Sequence, residues 1–271
     1  MSDSDERATV RPVTLARLVE TTHVCASTPQ TTEDLETALN ITHRRARETL
    51  LEALRIDLIT EDNTVDPPTY GTTTIGEQFL SAVRDEDWSK ISDILDTRSP
   101  HYNAFLEALD TVAPAELRTI LKELEHIEQH TPRSYNQTSV EVVGDWAERL
   151  GTVQRNAFSG QYYPIKQHGT LPNFSRTLLA VYDEVEKTAG VNLRQRYLSI
   201  PQLRETFCER HRCTRDAFDE ALDQLAEQNV GRLELSGAPI DTGAKDAKLG
   251  IKDMALGGDD GLVSTTQSTE Q

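Results

Sequence analysis

The feature that most constrains the fold of this 271-residue chain is a pair of short amphipathic segments with a tight break at Asn40, Ile41 and Thr42. The first segment, TTEDLETALN, has Leu35 and Leu39 at helical spacing and a threonine, Thr31 or Thr32, positioned to cap it. The second segment, HRRARETLLEALR, carries an apolar stripe at the same spacing, formed by Ala46, Leu50, Leu51 and Leu54. The pattern predicts two helices joined by a tight turn.

The break itself and the flanking sequence extend this prediction to residues 12–83. Ile41 is expected to be the buried turn residue and Thr42 the cap of the following helix. Before the pair, helical spacing is found in TLARLVETTHVCA. After it, a β-hairpin with a long loop is predicted in IDLITEDNTVDPPTYGTTTI, and a closing helix to Val83 is predicted in GEQFLSAV. The order helix, helix, tight turn, helix, hairpin resembles the winged helix-turn-helix superfamily. The resemblance implies DNA binding, with the helix Thr42–Arg55 in the major groove.

Two further units follow a helical connector at residues 84–99, in which Trp88, Ile91, Ile94 and Leu95 are expected on one side. Residues 100–170 again run from a helix into a predicted strand, turn and strand, GTVQRNAFSGQYYPI. In residues 172–265, Ser199 and Gln202 have capping-box spacing with a proline in the first turn, and Thr214 precedes RDAFDEALDQLAEQNV. GRLELSGAP, GIKDM and GLVST are read there as strands of a long wing. This third unit resembles winged-helix modules of prokaryotic DNA-associated and phage-defence proteins.

The predicted fold class is therefore mainly α with small β-hairpin wings, an α+β chain of tandem winged-helix domains joined by helical connectors. Residues 1–11 are polar and charged without periodicity, which predicts a flexible leader. Residues 266–271 are predicted to be a disordered tail.

The charge of the chain narrows the classes of partner. Its 28 Lys and Arg residues oppose 45 Asp and Glu residues, a net charge of −17, and 21 of the 28 are arginines. This argues against a generally basic nucleic-acid coat protein. An acidic, lysine-poor composition resembles that of proteins from halophilic archaea, whose surfaces stay hydrated in concentrated salt. The net charge of the chain therefore reflects the salt concentration of its solvent as much as the charge of its binding partner.

Several functions lack sequence support. No apolar run approaches the roughly 20 residues that span a bilayer, and three cysteines cannot form a dense disulfide framework, so a cytoplasmic protein is expected. Cys208, His211 and Cys213 fall across a predicted helix end without the paired spacing of a zinc site, and no metal or cofactor is predicted. With no nucleophile elbow and no phosphate-binding loop, we expect a protein that is not an enzyme.

The local charge of the predicted helices indicates a candidate DNA-binding site. The helix Thr42–Arg55 has four arginines against two glutamates, a net charge of +2, whereas residues 137–150 and 213–229 sum to −2 and −4. Basic residues near a recognition helix can contact bases or phosphates. The candidate DNA-binding residues are His43, Arg44, Arg45, Arg47, Arg55, Arg155, Lys166, Arg210, Arg212 and Arg215.

The leading hypothesis is a DNA-binding protein that binds double-stranded DNA through its first unit. It would be a transcription regulator or a DNA-recognition subunit of a defence or replication system. The acidic helices of the other two units are expected to form a homodimer or to bind a protein partner. The alternative is a winged-helix adaptor that binds proteins and does not contact DNA.

Overall fold

The computed structural model of the chain describes residues 9–127, 129, 133–188, 197–229, 233–236 and 248–251. Its contacts group into two compact units. Unit 1 runs to Arg155 and includes Ser159–Ile165, and unit 2 comprises Asn156–Phe158 and the chain from Lys166 onward. The described residues are mainly helical with small antiparallel sheets, which confirms the predicted fold class. The division into three winged-helix domains stays a prediction.

Unit 1 contains most of the helices found among the described residues. Its elements are, in chain order, α1 (Leu15–Ser27), α2 (Thr32–Leu39), α3 (His43–Arg55), β1 (Ile59–Asp62), β2 (Thr69–Thr72), α4 (Thr74–Arg84), α5 (Trp88–Arg98), α6 (Pro100–Val112), α7 (Leu117–Ile127), α8 (Gln137–Arg149), β3 (Val153–Arg155) and β4 (Tyr162–Pro164). β1 pairs with β2 and β3 with β4, both antiparallel. The hairpin predicted after α3 is therefore present, as is the later one.

The turn between α2 and α3 forms as its sequence predicts. Thr31 caps α2 in a reciprocal capping box with Asp34, because each side chain accepts the other residue's backbone N–H. Asn40 ends α2 in the left-handed region, at φ 50° and ψ 52°, which asparagine tolerates better than most residues. Thr42 then accepts the N–H of Arg45 at 3.3 Å and caps α3. Ile41 is only half-buried, although it was expected to be buried.

One continuous hydrophobic core runs through unit 1 from Val10 to Tyr162. It joins residues of the predicted first domain, such as Leu50, to residues of the predicted second domain, such as Trp146. In the connector, Ile91, Ile94 and Leu95 are buried as expected. Trp88, expected on the same side as these three, is 46% exposed; it is the first residue of α5, a turn ahead of the packed ones.

A segment at the start of the described chain, Thr9–Val13, packs against α3; we refer to it as the strap. Val10 and Arg11 are buried, although the prediction of a flexible leader placed both outside the fold. The reason lies in Glu52 of α3, which is completely buried and accepts the backbone N–H of Arg11 at 3.1 Å. A buried carboxylate needs several donors, and the strap supplies some of them.

Unit 2 is smaller. Its elements are α9 (Phe174–Thr188), β5 (Tyr197–Ser199), α10 (Ile200–His211), α11 (Arg215–Gln228), β6 (Leu233–Ser236) and β7 (Lys248–Ile251). β7 lies between β5 and β6 in an antiparallel sheet. Phe174, Phe207 and Phe218 form an aromatic core with ring centroids 5.2–5.5 Å apart. β6 confirms the strand predicted in GRLELSGAP, and β7 overlaps GIKDM; GLVST and the tail at 266–271 lie outside the described residues.

The turn between α10 and α11 repeats the backbone geometry of the turn between α2 and α3. Arg212 is left-handed at φ 55°, the N–H of Cys213 reaches the carbonyl of Cys208 at 3.3 Å, and Thr214 accepts the N–H of Ala217 at 3.1 Å. At the other end of α10, Ser199 is the cap residue but its side chain makes no capping bond, so the predicted capping box is wrong. Ser199 is the last residue of β5, which fixes its backbone in the sheet.

Candidate nucleic-acid interface

The N-terminal half of α3 presents a group of basic side chains on its outer face. His43, Arg44, Arg45 and Arg47 are all exposed. Together with Glu48 and Leu51, these side chains line shallow depressions along the helix. Since the Thr42 cap starts the helix just before them, the free backbone N–H groups and the partial positive charge of the helix end lie beside the same side chains.

Arg44 and Arg45 share one carboxylate. Nε of Arg44 donates to Oε1 of Glu48 at 3.2 Å, and Nη1 of Arg45 donates to Oε2 at 3.3 Å. Arg45 also donates to the carbonyl of Pro12 in the strap at 2.9 Å. The Arg44 side chain is 89% exposed and the Arg45 side chain 48%, so Arg45 is held more closely to the protein.

Arg47 lies on the side of α3 nearer the first hairpin. Its positive charge acts on Tyr70 of β2, whose hydroxyl donates to Oε1 of Glu61 at 2.8 Å. Burial and the neighbouring Glu61 raise the pKa of Tyr70 to about 12, and Arg47 and Thr32 oppose that rise. Tyr70 therefore stays protonated and donates. Within the described residues, the Arg47 side chain forms no hydrogen bond or ion pair, which leaves its guanidinium available to a ligand.

Two of the predicted residues on α3 are engaged within the protein. Arg55 donates to both carboxylate oxygens of the buried Glu52, at 2.5 and 2.7 Å, and to the carbonyl of Thr9 at 3.1 Å. Only 15% of its side chain is exposed. His43 Nδ1 lies 3.4 Å from Oε2 of Glu36 on α2, and its side chain is 63% exposed. Arg55 thus binds Glu52 and the strap, whereas the His43 side chain is exposed at the surface.

The first hairpin carries charge of the opposite sign. Glu61, Asp62 and Asp66 lie on or between its strands, and residues 59–72 include no lysine or arginine. Asp62 is held by the hydroxyl and N–H of Thr64, which lower its pKa and keep it ionised. The basic surface of α3 is therefore not continued onto this hairpin.

The remaining candidates are spread over both units. In unit 1, Arg155 donates to the carbonyl of Gly160 at 3.2 Å and lies 5.3 Å from the centre of the Tyr162 ring. In unit 2, Lys166 is exposed and its backbone N–H donates to the carbonyl of Arg212 at 2.7 Å. Arg210 pairs with Glu184. The backbone contact brings Lys166 beside Arg212 in unit 2, whereas Arg155 belongs to unit 1.

Arg215, the first residue of α11, is bound by a carboxylate that sequence reasoning missed. It donates from Nε and Nη2 to the two oxygens of Glu205, at 2.5 and 2.7 Å. Glu205 is 2% exposed and also accepts the N–H of Ala157, a residue of unit 2, at 2.9 Å. Burial raises the pKa of Glu205, but the bonds from Arg215 and Ala157 outweigh burial and lower it. Glu52 and Glu205 have no sequence signal beyond their places on apolar helix faces.

No group of three or more His, Cys, Asp or Glu side chains in the described part of the chain is arranged to hold a metal ion. Cys208 and Cys213 are completely buried, and Sγ of Cys208 contacts the carbonyl of Thr214 at 3.5 Å. Hydrogen bonding between the two thiols raises the pKa of Cys208 and lowers that of Cys213. Both cysteines are thus part of the buried interior of unit 2.

No protein-family model matches the chain, and no curated protein matches it. Among solved structures, magnesium ion-bound SspB is similar over 91% of this chain and 84% of its own, with 12% sequence identity and a TM-score of 0.44. At that TM-score the similarity supports no argument about fold or function. In the described residues, no helix has both the length and the apolar character needed to cross a membrane.

Proposed function

We propose that this protein binds double-stranded DNA without catalysing a reaction, and that the outer face of α3 is its recognition surface. In this proposal, residues 12–83 act as a winged helix-turn-helix domain. The biological setting would be transcription regulation, or DNA recognition within a defence or replication system, in the cytoplasm of a halophilic archaeon.

The observation that carries the proposal is the concentration of exposed arginines on α3 in a chain of net charge −17. Arg44, Arg45 and Arg47 occupy its first turn and a half, directly after the tight turn from α2. In helix-turn-helix proteins, side chains at this end of the second helix contact base edges and phosphates. Bidentate guanidinium groups suit both guanine and phosphate.

The acidic hairpin limits how DNA could bind. Glu61, Asp62 and Asp66 would repel a phosphate backbone laid along β1 and β2. Recognition would therefore depend on α3, with the hairpin held away from the backbone. In concentrated salt, counterion release contributes less to affinity, so base contacts must supply more of it.

A double substitution of the two most available arginines tests the proposal. The wild-type protein is used to select ligands from a random-sequence duplex pool in concentrated KCl, and binding to the selected duplex is followed by fluorescence anisotropy. Arg44→Ala with Arg47→Ala should weaken binding by at least about tenfold, since each bidentate base contact contributes roughly 1–3 kcal/mol. The salt dependence should also become shallower if either arginine contacts phosphate.

The matched control removes two arginines elsewhere on unit 1. Arg118 on α7 and Arg149 on α8 are exposed, so Arg118→Ala with Arg149→Ala gives the same change in net charge. This variant should bind the selected duplex nearly as well as the wild type. Equal losses in both variants would reduce the effect to bulk charge, and a wild type that enriches no duplex would contradict the proposal.

A second candidate, a protein-binding adaptor, is favoured by the acidic surfaces. Residues 137–150 and 213–229 have net charges of −2 and −4, and the first hairpin has no basic residue. Such surfaces would suit a basic protein partner or a homodimer with a basic region of a second copy. Sedimentation in concentrated KCl after nuclease treatment, with and without a selected duplex, separates the two candidates: an adaptor forms a defined protein complex and no duplex complex.

A further inference from the structure

We infer that Glu48 is a positioning residue that orients the Arg44 guanidinium for bidentate recognition of guanine. The inference rests on the proposed function and deepens it by assigning base specificity to one pair of side chains. It starts from the unequal ways in which the arginines of α3 are held.

The hydrogen bond from Arg44 to Glu48 uses Nε, the nitrogen nearest the helix. That bond, at 3.2 Å, leaves the two terminal nitrogens, Nη1 and Nη2, without a hydrogen bond to any residue that the structure describes. Because the side chain is 89% exposed, both face solvent. This pair of parallel donors matches the O6 and N7 acceptors of guanine in the major groove.

Glu48 is itself well fixed. Its side chain is only 17% exposed, and its second oxygen accepts from Nη1 of Arg45, which is tied in turn to the carbonyl of Pro12. The carboxylate therefore has a defined orientation before any ligand arrives. A side chain held in its binding geometry loses less conformational entropy on binding.

The same carboxylate also limits binding to the wrong sequence. A glutamate beneath the recognition surface weakens the attraction of phosphates for this part of α3. Affinity that depends on phosphates is largely independent of sequence, whereas the bidentate contact is not. Glu48 should consequently raise the ratio of specific to non-specific binding by acting on both terms.

The test measures this ratio in a double-mutant cycle. Dissociation constants for the selected duplex and for a scrambled duplex are measured for the wild type, Glu48→Gln, Arg44→Lys and the double variant. Lysine has no Nε to be held and offers one point of contact in place of two. Each single substitution should lower the ratio about tenfold, and the double variant should fall no further than either single one.

Glu36→Gln is the matched control for charge. Glu36 lies beside the N-terminus of α3, 3.4 Å from His43, whereas the ion pair of Arg44 is with Glu48. Its substitution should tighten binding to both duplexes equally and leave their ratio unchanged. A specificity ratio in Glu48→Gln that equals the wild-type ratio, or additive losses in the double variant, would overturn the inference while leaving DNA binding intact.

Arg44→Lys keeps the test independent of folding, because a substitution at so exposed a side chain leaves the core untouched. If Glu48→Gln unfolds, Arg44→Lys alone decides: a ratio unchanged from the wild type overturns the inference. If the wild type binds neither duplex, the proposed function has failed, and the inference with it.

Discussion

The turns α2–α3 and α10–α11 have the same backbone design and opposite surfaces. In each, a left-handed residue ends the first helix, the next N–H reaches back five residues, at 3.1 Å for Ile41 and 3.3 Å for Cys213, and a threonine caps the second helix. Yet α3 presents exposed arginines, whereas residues 213–229 sum to −4. The backbone geometry alone therefore does not indicate a nucleic-acid interface.

The difference lies in what the buried glutamates bind. Glu205 on α10 takes Arg215, the first residue of α11, so the basic residue at that helix start is used inside unit 2. Glu52 lies at the other end of α3 and takes Arg55 and Arg11, which leaves the arginines at the helix start outside. A buried carboxylate thus decides which arginines remain for a ligand.

The largest loss of stability is expected for Glu52→Gln, which changes the buried carboxylate of α3. It would leave the guanidinium groups of Arg11 and Arg55, whose side chains are 6% and 15% exposed, without their carboxylate. We expect unit 1 to lose about 3–5 kcal/mol of unfolding free energy. Both tryptophans of the chain, Trp88 and Trp146, lie in unit 1, so tryptophan fluorescence in denaturant measures this loss.

The control for Glu52→Gln is Glu20→Gln, which removes an exposed partner of Arg17 on α1. An exposed ion pair contributes little, and the change should stay below about 1 kcal/mol. Similar losses in both variants would show that Glu52 and the strap do not stabilise unit 1 as their contacts indicate.

Arg215→Ala should have the next largest effect, and Arg44→Ala provides the contrast. The first would leave the buried Glu205 with the N–H of Ala157 at 2.9 Å and a weak contact to Arg204 at 3.8 Å, at a cost of about 2–4 kcal/mol in unit 2. The second removes an 89% exposed side chain and should leave stability unchanged. In a Cys25→Ala background, reaction of Cys208 and Cys213 with a thiol reagent reports unfolding of unit 2 for Arg215→Ala, and tryptophan fluorescence reports unfolding of unit 1 for Arg44→Ala. Equal stabilities would contradict the contrast between the two helix starts.

Low pH should reduce the stability of unit 2 because it protonates the Glu205 carboxylate. The loss should be smaller than in Arg215→Ala, because the Arg215 side chain is still present. Since the pKa of Glu205 is lower in the folded chain, its ionised form contributes stability above the ordinary glutamate pKa. That contribution is lost as the pH falls through the ordinary pKa towards the lowered one. Thiol exposure with a dithiodipyridine reagent, measured across this acid range, should rise in the wild type and depend less on pH in Glu205→Gln.

The local patterns of this chain could be predicted from sequence, because helix periodicity and caps depend on neighbouring residues. The segments around α2 and α3, the Thr42 and Thr214 caps and both hairpins follow from such patterns. The strap could not be predicted, since it depends on Glu52, which is more than forty residues away in sequence. The capping box predicted at Ser199 was wrong for a related reason. Ser199 is paired in the sheet, and this pairing fixes its backbone in a position from which its side chain does not cap α10.

The candidate site was predictable only in part. Charge counting identified α3 but treated its arginines as equivalent, although Arg55 serves a buried carboxylate and Arg44 faces solvent. The exposure of an arginine depends on tertiary partners such as Glu48, Glu52 and Glu205. Their pairing can be read from the sequence only where it falls within one helix turn, as for Arg55 and Glu52.

The smallest predicted effect concerns the part of the two turns that is alike. Thr42 and Thr214 each cap the second helix by accepting a backbone N–H three residues later, at 3.3 and 3.1 Å. Because the caps are equivalent, Thr42→Ala and Thr214→Ala should each cost about 1 kcal/mol, in unit 1 and unit 2 respectively. Tryptophan fluorescence and thiol reactivity measure the two losses separately.

Serine at either position should restore most of the stability, because it supplies the same oxygen. A loss confined to one unit would mean that the shared turn geometry does not reflect a shared energetic role.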